Sequence, residues 1–380
     1  MLKRSLQVMA IGLLLVVLSV TPASASVKLQ SRAAILMEAS SGKIIFEKDA
    51  DLELPPASLA KIMTMLLVME AVNSGRVALD DRVTANATAT RWGGSQIYLE
   101  PGETMTVADL MKGVAIHSAN DASAVLAEWV AGTQERFVEL MNQRARELGM
   151  VRTRYVNVHG LDAEGQVTTV RDMAILSRQA AKTQGLLKFT KIWQDYLRGD
   201  ATWLVNRNRL VRFYAGCDGL KTGFTDGAGH CLAATAQRDG CRFIAVVMGG
   251  PTSDVRFSEV STLFNYGFAN FRAIPIATRG QVVGAVKVKR GTDTEIMAVV
   301  PDDFSVTIEK GREEGIEQAI ILEDGLEAPL KQGDPVGYIV VSQAGKQLGR
   351  TPLVSDRTVE RASLLQLVVR MLRSLARFGR

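Results

Sequence analysis

Three short groups in this 380-residue chain combine residue types and spacings that could do chemistry: Ser58-Leu59-Ala60-Lys61, Ser118-Ala119-Asn120 and Lys221-Thr222-Gly223. A serine hydroxyl is a poor nucleophile until a base removes its proton. A lysine three residues further along a helix lies on the same face, within reach. To act as that base Lys61 must be neutral part of the time. Burial and a second cation nearby both lower an ammonium pKa, and Lys221 is the candidate cation. At a helix start the amide of Ser58 also points toward a developing oxyanion. Ser118 could relay a proton to a leaving group, and the Asn120 amide could hold both Lys61 and a substrate peptide oxygen; standing alone, the same tripeptide is an ordinary helix cap. Glycine at 223 lets a strand lie close to substrate, Lys221 and Thr222 can bind a carboxylate, and the Phe224 amide can supply a second oxyanion donor. Together these describe acyl transfer through an active serine, with neither histidine nor metal.

Each group needs a particular element under it. Ser58 follows Pro55-Pro56 and is expected to open the apolar helix Leu59 to Val72. A second S-x-x-K, Ser40 to Lys43, is an internal control. It falls in the turn Ser40-Ser41-Gly42 between strand arms Ala34-Ile35-Leu36 and Lys43-Ile44-Ile45, where residues three apart share no face. Helices are expected at Val107 to Val114, Asp121 to Trp129, Thr133 to Leu148 and Val170 to Lys182, the last announced by Thr169-x-x-Asp172. Strands follow at Gly219 to Thr222, Cys231 to Ala236 and Arg242 to Met248, then a helix from Val255 to Asn270. The pattern is α+β, an antiparallel sheet flanked by helices over residues 26–271. Beyond Pro275 short alternating strands with Gly and Asp-Gly turns indicate a small all-β domain over 272–355, without a cluster suited to chemistry.

The two ends carry addresses rather than chemistry. Lys3 and Arg4, an apolar run from Met9 to Val20 and Ala23-Ser24-Ala25 form a secretory signal over 1–25; an uncleaved anchor is the alternative, though the run is shorter than the ~20 residues that span a bilayer. Over 356–380 a broad apolar face that includes Leu364, Leu365, Val368, Leu372 and Phe378 opposes Arg370, Arg373, Arg377 and Arg380. Such a helix over 363–380 suits the surface of an anionic membrane, with docking onto the protein as the alternative. The net charge of +5 resides in these ends and leaves a body of about −1, so nothing basic remains for nucleic acid. With 47% hydrophobic and 22% charged residues the composition is that of a globular protein. Cys217, Cys231 and Cys241 read as small core or near-site residues, a Cys217 bridge being the alternative; Cys231 and Cys241 would not lie opposite one another in their hairpin. His117, His159 and His230 lack metal-ligand spacing and read as structural.

On these three motifs, their order and the succession of signal, helical and sheet domain, β domain and tail, the chain resembles the serine-type D-alanyl-D-alanine carboxypeptidases, the low-molecular-mass penicillin-binding proteins of peptidase family S11. The resemblance implies a penicillin-binding/β-lactamase-like catalytic fold and removal of the terminal D-Ala from peptidoglycan stem peptides. It implies Ser58 as the acylated nucleophile, Lys61 as general base, Ser118 and Asn120 as the second element, and Lys221, Thr222 and Gly223 as the third. Arg256 resembles the family arginine that helps fix the substrate's terminal carboxylate. β-Lactam antibiotics would be ligands, no cofactor is implied, and the protein would work at the outer face of the cytoplasmic membrane. Ala60 stands where the family usually has threonine and Ala119 where glycine is commoner; both bear on rate rather than reaction type. A class A-like β-lactamase and a catalytically silent wall-associated scaffold are the competing readings.

Overall fold

The computed structural model describes residues 28–368, so the signal expected over 1–25 and most of the helix expected over 363–380 lie outside the described residues. Strands β1 (Ala33–Glu38) and β2 (Ile44–Lys48) form the opening hairpin, and a single 3-10 turn, Ala57–Ala60, leads into α1 (Lys61–Asn73). A small pair, β3 (Arg82–Thr84) and β4 (Thr104–Thr106), brackets α2 (Ala87–Thr90). Next come α3 (Val107–Lys112), a π turn at Gly113–His117, α4 (Asn120–Ala131), α5 (Gln134–Glu147), α6 (Val170–Lys182) and α7 (Leu186–Thr190). The hairpin β5 (Gln194–Leu197) and β6 (Thr202–Val205) and the short α8 (Leu210–Phe213) precede β7 (Cys217–Thr225), β8 (Gly229–Arg238), β9 (Cys241–Gly250) and α9 (Ser253–Asn270).

The central sheet runs β2-β1-β9-β8-β7, every pair antiparallel. Its middle strands are covered on both faces and are therefore apolar at nearly every position. Ala33, Ile35 and Met37 join Ile244, Val246 and Met248 in the core shared with α1, α4 and α6, whereas Ala34, Leu36, Phe243, Ala245 and Val247 pack under α9 with Val260, Leu263 and Phe264. The helix α1 has apolar residues all round and is correspondingly buried. Thr106, Thr133, Thr169 and Thr252 cap α3, α5, α6 and α9, each side chain accepting from the amide three residues on.

The second core is all β. Strand β10 (Phe271–Ala277) pairs with β13 (Phe304–Glu309); beside them β11 (Val282–Lys289), β12 (Glu295–Val299), β14 (Ile316–Leu322), β15 (Leu326–Glu327), β16 (Pro335–Gln343) and β17 (Lys346–Ser355) form a sheet in the order β14-β16-β17-β12-β11-β15. Val286, Ile296, Val306, Ile339 and Leu353 fill its interior. Thr307 Oγ1 donates to Glu38 Oε1 at 3.1 Å and Lys310 Nζ to the Phe268 carbonyl at 2.9 Å, which seats this part against the β1–β2 turn and the end of α9.

Two expectations need correction. Ser58 does not open the apolar helix: it sits in the preceding 3-10 turn, and the α-helix starts at Lys61 itself. Residues 183–216 carried no expected element, yet they hold α7, the β5–β6 hairpin and α8. These segments are too short for a helical or strand period to emerge from sequence. The cysteine reading agrees with the structure: Cys231 lies opposite Gly223 and Cys241 opposite Arg238, and all three thiols are buried and free.

Candidate active site

The nucleophile candidate is held by a backbone that has little freedom. Ala57 adopts φ 48°, and the loop carrying Gly160 (φ 89°) closes on it so tightly that a Cβ at 160 would lie 1.8 Å from the Ala57 carbonyl oxygen. That loop is fixed by Asn157 Oδ1, which accepts from the Gly160 amide at 2.7 Å, and by the Val158 carbonyl, which accepts from Thr64 Oγ1 on α1 at 2.6 Å. It thereby delivers the His159 carbonyl to Lys61. The Lys61 ammonium donates to that carbonyl at 2.6 Å, to Asn120 Oδ1 at 2.6 Å and to Ser58 Oγ at 3.2 Å, so its three hydrogens have three acceptors. The side chain is wholly inaccessible, and burial brings its pKa down to about 7, with Asp121 pulling the other way.

Ser118 ends the π turn in the left-handed region, φ 70°, and lines the cleft. The π turn widens the helix by one residue, which aims Ser118 forward while Asn120 starts α4 behind it. The Asn120 amide NH2 donates to the Gly93 carbonyl at 2.6 Å and its backbone N–H to the Ser95 carbonyl at 2.7 Å. Buried Asp121 completes the tie by accepting from the amides of Ile97 and Leu99 at 3.2 and 3.0 Å. One loop, 93–99, is thus stitched to the start of α4.

Strand β7 passes directly against the serine turn. A Cβ on Gly223 would stand 3.0 Å from the Ala57 Cβ and 3.2 Å from the Ser58 amide nitrogen, so a larger residue would have to push the turn back by a few tenths of an ångström. Lys221 is buried, bonds the Thr222 carbonyl at 3.0 Å, and has its pKa pushed down first by burial and then by Lys61, Arg256 and Arg207. The sequence named burial and Lys221 as what would lower the Lys61 pKa; in the structure burial acts first on both ammonium groups, and the two repel one another. Arg256 on α9 donates to the Gly223 carbonyl at 3.0 Å and to Ser253 Oγ at 3.1 Å, and burial lowers its pKa to about 10.

These groups surround a cleft of about 660 Å³. Ser58, Ser118, Thr222, Gly223, Phe224 and Arg256 line it, while Lys61, Asn120 and Lys221 are buried around it. All nine residues singled out from sequence therefore converge. Sequence reasoning missed other residues of the lining, among them Ser95, Trp203, Arg207 and Arg209, and it read His117, also a lining residue, as structural. His159 was likewise read as structural; its carbonyl accepts from Lys61, while its Nδ1 accepts from the Leu161 amide and its ring packs on Trp92. No motif flags these positions; the doublet Arg207 and Arg209 after the short hairpin is the one signal that stood in the chain.

An antiparallel sheet with a serine turn on one side and a K-T-G strand on the other is the architecture of the penicillin-binding proteins. Residues 19–252 match the family Peptidase_S11, D-alanyl-D-alanine carboxypeptidase, and residues 271–361 match the penicillin-binding protein 5 C-terminal domain. The chain is 38% identical over 353 residues to the D-alanyl-D-alanine carboxypeptidase DacF of Bacillus subtilis, covering 92% of this chain and 91% of that one. Among solved structures it is similar to penicillin-binding protein 5 from Haemophilus influenzae (TM-score 0.68, 31% identity, 88% of this chain and 98% of that one). It is also similar to ampicillin-bound penicillin-binding protein D2 from Listeria monocytogenes (TM-score 0.58, 34% identity, 63% of this chain and 98% of that one). The chain belongs to the D-alanyl-D-alanine carboxypeptidase family of serine peptidases, S11.

Proposed function

We propose that this protein is a serine-type D-alanyl-D-alanine carboxypeptidase that trims the terminal D-Ala from peptidoglycan stem peptides and is acylated by β-lactams. The observation that carries the reading is Lys61: buried, with a pKa of about 7, and 3.2 Å from the Ser58 hydroxyl. Near neutrality about half of such lysines are free amines able to accept the Ser58 proton.

In the acylation step Ser58 Oγ bonds to the penultimate D-Ala carbonyl carbon as its proton passes to Lys61 Nζ. The oxyanion sits between the amides of Ser58 and Phe224, on adjoining turn and strand. The C–N bond breaks with a proton delivered through Ser118, and free D-Ala leaves. Water then attacks the ester, Lys61 taking the water's proton and Ser58 recovering its own. Asn120 holds Lys61 in place, and Lys221, Thr222 and Arg256 bind the terminal carboxylate. Lys61, Arg256 and Arg207 stand close enough to Lys221 to lower its pKa by like charge, a concentration of positive charge that suits an anionic substrate end.

The family match and the penicillin-binding neighbours count against a β-lactamase or a silent scaffold. The same reading divides the chain into an export signal at 1–25, a catalytic domain at 26–271, a β domain at 272–355 and an amphipathic membrane anchor at 356–380. It places the protein peripherally on the outer face of the cytoplasmic membrane through 363–380. In support, no helix among the described residues is long and apolar enough to cross a membrane, and the first exposed residues of the tail include Leu364, Leu365 and Val368. The test is intact mass against time with benzylpenicillin, paired with D-Ala release from a D-Ala-D-Ala peptide. A long-lived adduct on Ser58 and D-Ala release, both absent in Ser58→Ala, are expected. Retained labelling of Ser58→Ala would refute the assignment, and rapid adduct loss with hydrolysed drug would turn it toward a β-lactamase.

A further inference from the structure

Two segments lead out of the cleft, and each ends in bare aromatic rings. On the β5–β6 hairpin Leu197 and Leu204 face inward and are buried, while the directly paired Tyr196 and Trp203 face outward at 45% and 58% exposure. Trp203 and Val205 are themselves cleft wall, so this outer face continues the cleft. From Ser95, also cleft wall, the second segment runs three residues to Tyr98, 75% exposed. Arg198, in the hairpin turn, joins the two: it donates to the Ile97 and Tyr98 carbonyls at 3.0 and 3.4 Å and to Thr202 Oγ1 at 3.0 Å.

The exposure is held in place. Tyr98 has φ 55°, a conformation rare for a bulky residue, and it is kept there by Asp121, which accepts from the amides on either side, and by Arg198. Among the described residues none of the three rings makes a ring contact, and neither the Tyr98 and Tyr196 hydroxyls nor the Trp203 indole N–H has a hydrogen-bond partner. Contrast Phe224, packed on His230, and Trp193, packed on Phe213. A backbone strained to present an unpartnered ring beside a cleft points to a ligand for the ring face.

We propose that Tyr98, Tyr196 and Trp203 form a platform for a carbohydrate chain, the glycan strand to which the stem peptide is attached. The inference rests on the carboxypeptidase reading. A stem of five residues reaches at most about 18 Å when extended. With its last residues in the cleft, the attached sugars must therefore lie at the cleft's rim. Pyranose rings present flat C–H faces that pack on aromatic faces, with hydroxyls left for the ring's polar atoms; Tyr and Trp carry both a face and a polar group. Of the acidic residues near the platform, Glu103 is paired with Arg198 and Asp195 with Lys112, which leaves exposed Glu100 and Asp200 to disfavour an anionic bilayer as its occupant.

The probe is peptide-free glycan strands, obtained by amidase digestion of peptidoglycan, added to the full mature chain carrying Ser58→Ala so that turnover plays no part. Hydroxyl-radical footprinting read by mass spectrometry should show Tyr98, Tyr196 and Trp203 protected, with exposed Trp129 and Phe213 unchanged. Glycan affinity should fall about tenfold in Tyr196→Ala/Trp203→Ala and return in Tyr196→Phe/Trp203→Phe. No saturable glycan binding, or binding without protection of these rings, overturns the proposal. Protection of the same rings by anionic phospholipid vesicles and not by glycan overturns it in favour of a membrane contact. Because footprinting needs no ring substitution, a variant that fails to fold leaves the test intact. Failure here alongside normal Ser58 acylation in the wild type would remove the platform and keep the enzyme.

Discussion

Burial of Lys61 makes its titration a property of folding that can be measured apart from catalysis. Its pKa falls from the ordinary 10.5 to about 7. Between those values the unfolded chain binds the proton and the folded chain does not, so stability rises with pH across pH 7 to 10.5 and is lowest below 7. At about 1.4 kcal/mol per unit, rounded off where the native group still half-titrates, Lys61 contributes a rise of about 2 kcal/mol from pH 7 to 9. Lys61→Met keeps the length of the chain and removes the titration. It also relieves Lys221, whose pKa Lys61 helps to lower, so any coupled change enlarges the difference in the same direction. Urea unfolding of wild type and Lys61→Met at pH 7, 8 and 9 gives the difference directly. The gap in unfolding free energy should shift by about 2 kcal/mol in favour of wild type as pH rises, while benzylpenicillin acylation of the wild type climbs through a midpoint near 7. A gap that stays constant within about 0.5 kcal/mol, or moves the other way, would refute the reasoning, because a lysine that titrates normally has no slope in this window.

Other substitutions probe the backbone and the tie behind it. Gly160→Ala drives a methyl into the Ala57 carbonyl at a left-handed position and should cost about 3 kcal/mol in thermal or urea unfolding along with most of the acylation rate. Gly223→Ala, whose Cβ meets Ala57 and the Ser58 amide at 3.0–3.2 Å, should slow acylation at least about tenfold while shifting stability by about 1 kcal/mol, measured by stopped-flow and urea unfolding together. Asp121 holds the Lys61 pKa up, so Asp121→Asn should move the pH midpoint of acylation downward; an upward move would count against it. With burial pushing Cys217 up to about 12 and Cys231 to about 11, a thiol reagent should label none of the three cysteines in the native protein and all three in denaturant.

What the sequence by itself determined is what short-range physics writes into neighbouring residues. The Thr169 cap, the hairpin that keeps Cys231 from lying opposite Cys241, and the three-residue step from Ser58 to Lys61 all depend on spacings of a few residues. The order of the three motifs then named the chemistry. The tertiary structure decided everything that depends on summed burial and distant partners. Lys61 meets its acceptors 59 and 98 positions away, and its pKa follows from a desolvation that no local window contains. The serine turn is shaped by Gly160, a residue that reads as ordinary loop until Ala57 is found against it. Likewise the β5–β6 hairpin gave no period long enough to detect, and only its docking through Arg198 onto the loop at Ile97 and Tyr98 made Trp203 part of the cleft and left Tyr98 facing water. Periodicity reports which face of an element is buried, but not what is brought to face it.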